Sequence, residues 1–275
     1  MKTKNIGFIG GGNMASSLIN GLIASGHSPQ QIWVADVNPD TLQQLASTLN
    51  VNISNDNETV INEVDVVVFA VKPQVLRSVA ETITTPLQTK QPLVISIAAG
   101  INQQSLSQWV GDNMAIVRCM PNTPALVLTG ATALHANSNV NNEQKSLAEN
   151  ILRAVGLSLW VDDEAELDAV TAISGSGPAY YFLLMEAMEK TAQALGLSQK
   201  TARLLIQQTA LGAAKIALES DESPEQLRQR VTSPGGTTQK AIEIFEAGNF
   251  SELVSKALHA AKERSIELSK ELGDA

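Results

Sequence analysis

The chain has a single cysteine, Cys119, among its 275 residues. One thiol excludes an intrachain disulfide framework and any metal site built from several cysteines. The three histidines, His27, His135 and His259, are scattered, and none has a carboxylate or histidine partner at the spacing of metal ligands. We therefore expect no metal site and a reducing compartment, the cytoplasm.

Positive charge and long apolar runs are also scarce. The net charge is −9 and no basic block occurs, which excludes sequence-independent binding to nucleic acid and attraction to an anionic membrane. The longest apolar stretch, from 169 to 185, is broken by Ser174-Gly-Ser-Gly-Pro178 and is too short to span a bilayer. Glycines and polar residues interrupt the first apolar run, so we expect no targeting segment.

Aromatic residues make up only 4% of the chain, although 44% of its residues are hydrophobic. A chain of this length suggests about two domains with cores of small aliphatic side chains. Apolar strands alternate with amphipathic helices up to residue 161, and only helical patterns follow. The fold class is therefore α/β, with an N-terminal Rossmann-type doubly wound sheet (1–161) and an all-helical C-terminal domain (162–275).

The first strand leads directly into a glycine-rich turn. Gly10, Gly12 and Ala15 fit the dinucleotide fingerprint between an apolar strand and a helix. The first glycine permits a tight turn, the second lets a pyrophosphate approach the backbone, and the alanine lets helix and strand pack closely. The pyrophosphate would lie on the free N–H groups of the helix start. The alternative is a glycine-rich loop without a ligand.

Asp36 and Lys72, both downstream of the fingerprint, are candidates for cofactor contacts. Asp36 ends the second strand, where an acidic residue normally binds the ribose 2′-hydroxyl and favours NAD over NADP. Lys72 follows the continuous apolar run from Val66 to Val71, which is typical of a central parallel strand. The alternatives are an ordinary turn aspartate and a solvated lysine.

The helical half contains a second glycine turn, from Thr232 to Thr238. Two glycines and neighbouring hydroxyls before a helix are suited to binding an anion, although an N-cap and loop is the commoner use of such residues. In the helix that follows, we expect Ala241, Ile244 and Phe245 to face inward. The domain is too small and too apolar for a freestanding module, so we expect a helical dimer interface.

Six motifs along the whole chain together resemble one enzyme family. They are Gly7-Phe-Ile-Gly-Gly-Gly-Asn-Met-Ala15, Ala70-Val-Lys-Pro73, Ser96-Ile-Ala-Ala-Gly100, Arg118-Cys-Met-Pro-Asn-Thr-Pro124, Ser174-Gly-Ser-Gly-Pro-Ala-Tyr180 and Thr232-Ser-Pro-Gly-Gly-Thr-Thr238. The chain resembles pyrroline-5-carboxylate reductase, the last enzyme of proline biosynthesis. The first motif is shared by many dehydrogenases, whereas the last two in a helical domain are specific to this family.

The resemblance implies a reaction, a cofactor and an assembly. The reaction is the reduction of a cyclic imine to L-proline, with NADPH or NADH as the reductant. The family forms homodimers through the helical domains, which often assemble into larger rings. Because the imine nitrogen is basic enough to arrive protonated, a strong buried acid is not essential, and positioning does most of the work.

The resemblance also assigns roles to individual residues. The substrate carboxylate lies on the amides of Gly236, Thr237 and Thr238, and the Thr238 hydroxyl is the catalytic group that reaches the imine nitrogen. Ser233 and Glu164 are further substrate-binding residues. The residues on the cofactor side are Gly10, Gly12, Asn13, Met14, Asp36, Asn57, Ala70, Val71, Lys72, Pro73 and Ala98.

Asp36 departs from the family's usual pattern, which has small or polar residues after the second strand and favours NADPH. A carboxylate there would repel a 2′-phosphate, so we expect NADH to be used unusually well. Two alternative functions remain open at this point. One is a Rossmann-plus-helical β-hydroxyacid-type dehydrogenase, which needs a general acid-base such as Lys190 or Lys215. The other is a non-catalytic dinucleotide-binding regulatory protein.

Overall fold

The computed structural model describes residues 4–273, and its strands form one mostly parallel sheet. The strands are β1 (Ile6–Ile9), β2 (Ile32–Ala35), β3 (Asn52–Ser54), β4 (Val66–Phe69), β5 (Leu93–Ser96), β6 (Ile116–Met120), β7 (Gly130–Ala136) and β8 (Gly156–Trp160). Their order in the sheet is β3-β2-β1-β4-β5-β6-β7-β8. All neighbouring pairs are parallel except β6 and β7, which are antiparallel. The predicted Rossmann-type sheet is confirmed.

Helices connect most of the strands, and after β8 the regular elements are all helical. They are α1 (Asn13–Ala24), α2 (Pro39–Leu49), α3 (Asn57–Glu63), α4 (Pro73–Thr82), α5 (Thr84–Lys90), α6 (Gln103–Val110), α7 (Asn142–Arg153), α8 (Glu166–Val170), α9 (Gly177–Ala194), α10 (Gln199–Glu219), α11 (Pro224–Arg230), α12 (Thr237–Ala247) and α13 (Phe250–Gly273). Short 3₁₀ turns occur at Pro29–Gln31 and Thr123–Val127, and a π turn at Thr171–Gly175.

Local signals explain where several helices begin. Proline occupies the first turn of α2, α4 and α11, where its missing N–H has no intrahelical partner to lose. The Ser223 hydroxyl accepts a hydrogen bond from the Gln226 N–H, and the Gln226 side chain accepts one from the Ser223 N–H, which completes a capping box at α11. Asp56 caps α3 in the same sense by accepting hydrogen bonds from the N–H groups of Glu58 and Thr59.

Apolar side chains cover both faces of the sheet. Along β4, Val66 and Val68 belong to the core cluster on one face, whereas Val67 and Phe69 belong to the cluster on the other. Because successive side chains of a strand point to opposite faces, a strand buried on both sides is apolar at every position. This explains the continuous apolar run from which β4 is predicted.

The packing divides the chain into two compact units that differ from the predicted domains. One unit extends to Ser176 and takes in the end of α13 from Ala260 onward, and the other comprises Gly177–His259. Within the first unit, the buried Ser265 hydroxyl on α13 donates to an Asp168 carboxylate oxygen at 2.7 Å. The division into 1–161 and 162–275 stays a prediction.

The unit Gly177–His259 buries almost none of its apolar residues within one chain. Only Gly177 and Ala202 are buried among its residues, all of which lie in the described part of the chain. The expectation that Ala241, Ile244 and Phe245 face inward is wrong for the single chain, because Ile244 is 75% and Phe245 48% exposed.

Long apolar helices of the kind that cross a membrane do not occur between residues 4 and 273.

Candidate functional site

The predicted cofactor residues of the first unit lie at the carboxyl edge of the sheet. Ile9 at the end of β1 pairs with Ala35 and Phe69, and Phe69 pairs with Ser96, so four strands end at the same level. Most of the predicted cofactor residues lie in the loops that follow these strands. Those residues are Gly10, Asp36, Ala70, Val71, Lys72, Pro73 and Ala98, and Asn57 opens α3 soon after β3. In open α/β sheets ligands bind at this edge, where the strand order reverses, here between β1 and β4.

Gly10 is required by the turn between β1 and α1. Its φ is +101°, and a Cβ at this position would lie 2.9 Å from the carbonyl carbon and oxygen of Ala70. The Gly10 N–H donates to the Ala35 oxygen at 2.7 Å, and the Ala70 N–H donates to the Ile9 oxygen at 2.9 Å. Gly10 therefore allows β1, β2 and the turn after β4 to converge.

Gly12 differs from Gly10 because it faces open space. Its φ is −68°, and a Cβ there would meet no atom within 4 Å. Gly12 is the N-cap of α1, no side chain caps the helix, and its first turn contains no acidic residue. Gly12 and Asn13 are exposed and Met14 is half-buried. An open helix start with free N–H groups fits the pyrophosphate of a dinucleotide.

Asp36 is fixed against the same turn through both of its carboxylate oxygens. Oδ2 accepts a hydrogen bond from the Gly11 N–H at 2.7 Å, and Oδ1 accepts one from the Asn38 N–H at 2.8 Å. The side chain therefore stays beside the glycine turn, at the position that a ribose-binding carboxylate occupies in this fold.

Lys72 is exposed at the N-cap of α4, and no side chain caps that helix. Among residues 4–273, no carboxylate forms an ion pair with Lys72. Val71 packs against the core, and Pro73 occupies the first turn of α4. The ammonium group is therefore available at the carboxyl edge of the sheet.

The second glycine turn precedes α12 in the other unit. Gly235 has φ +73°, and its N–H donates to the Gln239 side-chain oxygen at 2.6 Å. Gly236 is the N-cap of α12, with no capping side chain. The Gly236 N–H already donates to the Ser233 oxygen at 3.0 Å, so the free N–H groups of this helix start belong to Thr237 and Thr238 rather than to Gly236.

Glu164 is held by two donors on the first unit. Its Oε1 accepts a hydrogen bond from Arg118 Nη1 at 2.8 Å and another from the Gln103 N–H at 2.7 Å. Sequence reasoning did not pair Arg118 with Glu164. The available signal is the presence of a charged residue inside the apolar strand β6, since charged side chains are almost never fully buried unless they are paired.

Two of the motifs meet in the first unit. Asn122 Nδ2 donates to the Ser174 oxygen at 3.0 Å, and the Asn122 side-chain oxygen accepts from the Ala131 N–H at 2.9 Å. A Cβ on Gly175 would lie 2.4 Å from the Met120 methyl carbon. These residues therefore fix the loop after β6 to the π turn, and their first role is to hold the fold.

Cys119 is poorly placed for nucleophilic chemistry. Cys119 is buried in β6, and burial raises the pKa of its thiol far above the usual range. A thiol in that state is a poor nucleophile and metal ligand. Residues 4–273 contain no cluster of three or more histidine, cysteine or carboxylate side chains that would hold a metal ion.

Comparisons with known proteins agree with both halves of this geometry. The family model described as pyrroline-5-carboxylate reductase dimerisation matches residues 164–268. A second model, described as NADP oxidoreductase coenzyme F420-dependent, matches residues 5–100. A pyrroline-5-carboxylate reductase of Pseudomonas aeruginosa is 50% identical over 273 residues, which cover 99% of this chain and 100% of the relative. The chain belongs to the pyrroline-5-carboxylate reductase family. The family resemblance of the six motifs is thereby confirmed.

Solved structures of pyrroline-5-carboxylate reductases match the whole chain. The enzyme from Coxiella burnetii is 49% identical with a TM-score of 0.94, covering 98% of this chain and 100% of that one. The Plasmodium falciparum pyrroline carboxylate reductase, whose structure has NADP bound, is 31% identical with a TM-score of 0.87, covering 98% and 99%. A prephenate dehydrogenase from A. aeolicus, at 18% identity and a TM-score of 0.54, shares the fold alone.

Proposed function

We propose that the chain catalyses the NAD(P)H-dependent reduction of 1-pyrroline-5-carboxylate to L-proline. The observation that carries the proposal is the pair of uncapped helix starts, at Gly12 and at Gly236, in a chain that matches pyrroline-5-carboxylate reductases over its full length. One helix start fits the phosphates of a dinucleotide, and the other fits the carboxylate of an imino acid.

The residues at the carboxyl edge of the sheet would hold the cofactor. Gly12, Asn13 and Met14 offer the helix start to the pyrophosphate, and Asp36 lies where the adenosine ribose binds in this fold. Lys72 offers a positive charge at the same edge, and Val71 and Ala98 line it with apolar surface. When bound, the reduced nicotinamide supplies the hydride that adds to the imine carbon.

The start of α12 would hold the substrate. The free N–H groups of Thr237 and Thr238 bind the carboxylate, with the Ser233 hydroxyl beside them. The Thr238 hydroxyl accepts the N–H of the protonated imine and so fixes the orientation of the ring. The reaction needs no stronger acid, because the imine arrives protonated and the hydride alone completes the amine.

The lysines that a β-hydroxyacid-type dehydrogenase would need are engaged elsewhere. Lys190 pairs with Glu186 at 2.5 Å, and Lys215 pairs with Glu219 at 3.8 Å, both one turn apart on exposed helix faces. A lysine that acts as a general acid-base lies instead in a cleft that lowers its pKa. The geometry therefore favours the reduction of an imine over the reduction of a ketone.

We also propose the assembly and the compartment. The match to the dimerisation family model covers the whole of the unit Gly177–His259. The exposed apolar residues of this unit support a homodimer through the helices. The ring of dimers rests on the family resemblance alone. A free buried thiol and a reaction that consumes NAD(P)H support the cytoplasm as the compartment.

The role of Thr238 gives the test. Thr238→Ala is expected to lower kcat for the imine about 100-fold, whereas Thr238→Ser keeps the hydroxyl and stays within about 10-fold of the unaltered chain. The measurement is NAD(P)H oxidation with pyrroline-5-carboxylate, set beside a small β-keto acid. Turnover of the keto acid without turnover of the imine would defeat the proposal.

A further inference from the structure

The ion pair of Arg118 and Glu164 differs from a surface ion pair because Arg118 is buried and Glu164 has a second hydrogen-bond donor. Arg118 lies in the middle of β6, between Ser96 on β5 and His135 on β7, and is only 5% exposed. Its Nη1 donates to Glu164 Oε1 at 2.8 Å. Removing one partner of such a pair leaves an uncompensated charge, so the two side chains depend on each other.

A second donor fixes the same oxygen. Gln103 is the first residue of α6, and its N–H, which has no partner within the helix, donates to Glu164 Oε1 at 2.7 Å. The Gln103 side chain is itself fixed, because its Nε2 donates to the Ile116 and His135 oxygens at 3.2 and 2.9 Å. Glu164 Oε1 is therefore anchored to a rigid part of the sheet.

The other carboxylate oxygen is open. Within residues 4–273, no group donates a hydrogen bond to Glu164 Oε2. Three buried side-chain polar atoms in that range lack a hydrogen-bond partner: His27 Nε2, Ser158 Oγ and Ser269 Oγ. Because Glu164 Oε2 also lacks a partner and is not one of them, it is accessible to solvent. The side chain of Glu164 is 25% exposed and that of Arg118 only 6%. One carboxylate oxygen is thus anchored while the other stays accessible.

The pair also lies near the predicted cofactor edge. Arg118 pairs with Ser96, the last residue of β5, and Ala98 follows two residues later in the loop that leads to α6. Glu164 accepts a hydrogen bond from Gln103, the first residue of that helix. A fixed negative charge at this place favours the protonated imine, the form that accepts a hydride, over the neutral imine.

We propose that Arg118 is a positioning residue for the reduction: it holds the Glu164 carboxylate by Oε1, so that Oε2 stays free to pair with the protonated imine. This inference rests on the proposed function. Arg118 acts through Glu164 and does not touch the substrate. The Gln103 N–H has the same role, but because it is a backbone group it has no simple variant.

A double-mutant cycle in the full chain tests the coupling. The variants are Arg118→Met, Glu164→Gln and the two together, with Arg153→Met as a control that removes an exposed arginine paired with Glu149 on α7. Each single variant at the buried pair is expected to lower kcat/KM for the imine about 10-fold or more. The kcat/KM of the double variant is expected to lie within about 3-fold of the value for the less active single variant. KM for NAD(P)H and the activity of the control are expected to stay within about 2-fold.

Three results would contradict the proposal in distinguishable ways. Additive losses in the double variant, or a KM for NAD(P)H that rises as much as KM for the imine, would overturn the role of Arg118 alone. An unaltered chain that does not reduce the imine would overturn the proposed function and this inference with it. If Arg118→Met does not fold, Arg118→Lys takes its place, with a smaller loss that must show the same non-additivity with Glu164→Gln.

Discussion

We expect Asp36 to determine which ribose the cofactor edge accepts. Its carboxylate is tied to the Gly11 and Asn38 N–H groups, so it cannot readily turn away from an incoming 2′-phosphate. Two negative charges a few ångströms apart repel each other, and the same carboxylate is a good acceptor for a 2′-hydroxyl. We therefore expect NADH to be used better than it would be with a neutral side chain at this position.

The first prediction concerns this preference. Asp36→Asn is expected to raise the ratio of kcat/KM with NADPH to kcat/KM with NADH by about 10-fold or more, because the charge is lost and the size is kept. Asp65→Asn, at the opposite edge of the sheet, removes the same charge and leaves the ratio unchanged. For the unaltered chain, a kcat/KM with NADPH more than about 100-fold above that with NADH, or ~2.7 kcal/mol, would contradict the expectation that Asp36 disfavours NADPH.

At the scale of an element, the turn between β1 and α1 assigns different tasks to two glycines. Gly10 has a left-handed φ and lies against the backbone of Ala70, whereas Gly12 has an ordinary φ and faces open space. The first glycine is needed by the fold. We expect the second to be needed by the cofactor.

Alanine at each position separates these tasks. Gly10→Ala is expected to cost about 1 to 3 kcal/mol of stability from the backbone conformation alone, and more from the contact with Ala70. Gly12→Ala is expected to leave the melting temperature nearly unchanged and to weaken NAD(P)H binding about 10-fold or more, because the methyl group occupies the approach of the pyrophosphate. Thermal unfolding and a fluorescence titration of the cofactor measure the two effects. Unchanged cofactor binding by Gly12→Ala would show that the pyrophosphate lies elsewhere.

The elements that the sequence predicts well are those with a strong local signal. β1, β2 and β4 are short apolar runs, and α2 and α11 begin at a proline beside a capping side chain. The short helices α3 and α5, of seven residues each, were not predicted, because an apolar face of one or two turns is too brief to show a period. The antiparallel direction of β7 was not predicted either, since strand direction depends on the tertiary path of the chain.

The candidate site shows the same division. The glycine turns at Gly10 and Gly235 are visible in the sequence because a special backbone requires a special residue. The contact between Arg118 and Glu164 joins residues far apart in the chain and leaves no local pattern. The inward orientation expected for Ile244 was wrong for the single chain, because helical periodicity identifies an apolar face but not the molecule that covers it.

At the scale of the whole molecule, the helical unit needs a partner. Large apolar side chains on α9, α10 and α12, such as Leu183, Leu211 and Ile244, are more than half exposed in the single chain. Many large apolar side chains exposed on one unit are typical of an interface between proteins. The match to the dimerisation family model identifies the partner as a second copy.

The oligomeric state can be tested on α9. The chain is expected to run as a dimer, or as a multiple of dimers, in size-exclusion chromatography with light scattering at micromolar concentration. Leu183→Arg places a charge in the apolar surface and is expected to give monomers or unfolded chain, whereas Lys190→Ala on the same helix keeps the assembly. A monomeric unaltered chain would contradict the dimer.

Reduction of the cyclic imine requires a hydride from the nicotinamide to add to the imine carbon. The most direct measurement incubates the purified chain with pyrroline-5-carboxylate and NADH or NADPH that carries deuterium at the transferable position of the nicotinamide, followed by mass spectrometry and NMR of the product. The expected product is L-proline with a single deuterium on the ring carbon that was the imine carbon. Proline without deuterium, or an imine left unreduced while the cofactor binds, would contradict it.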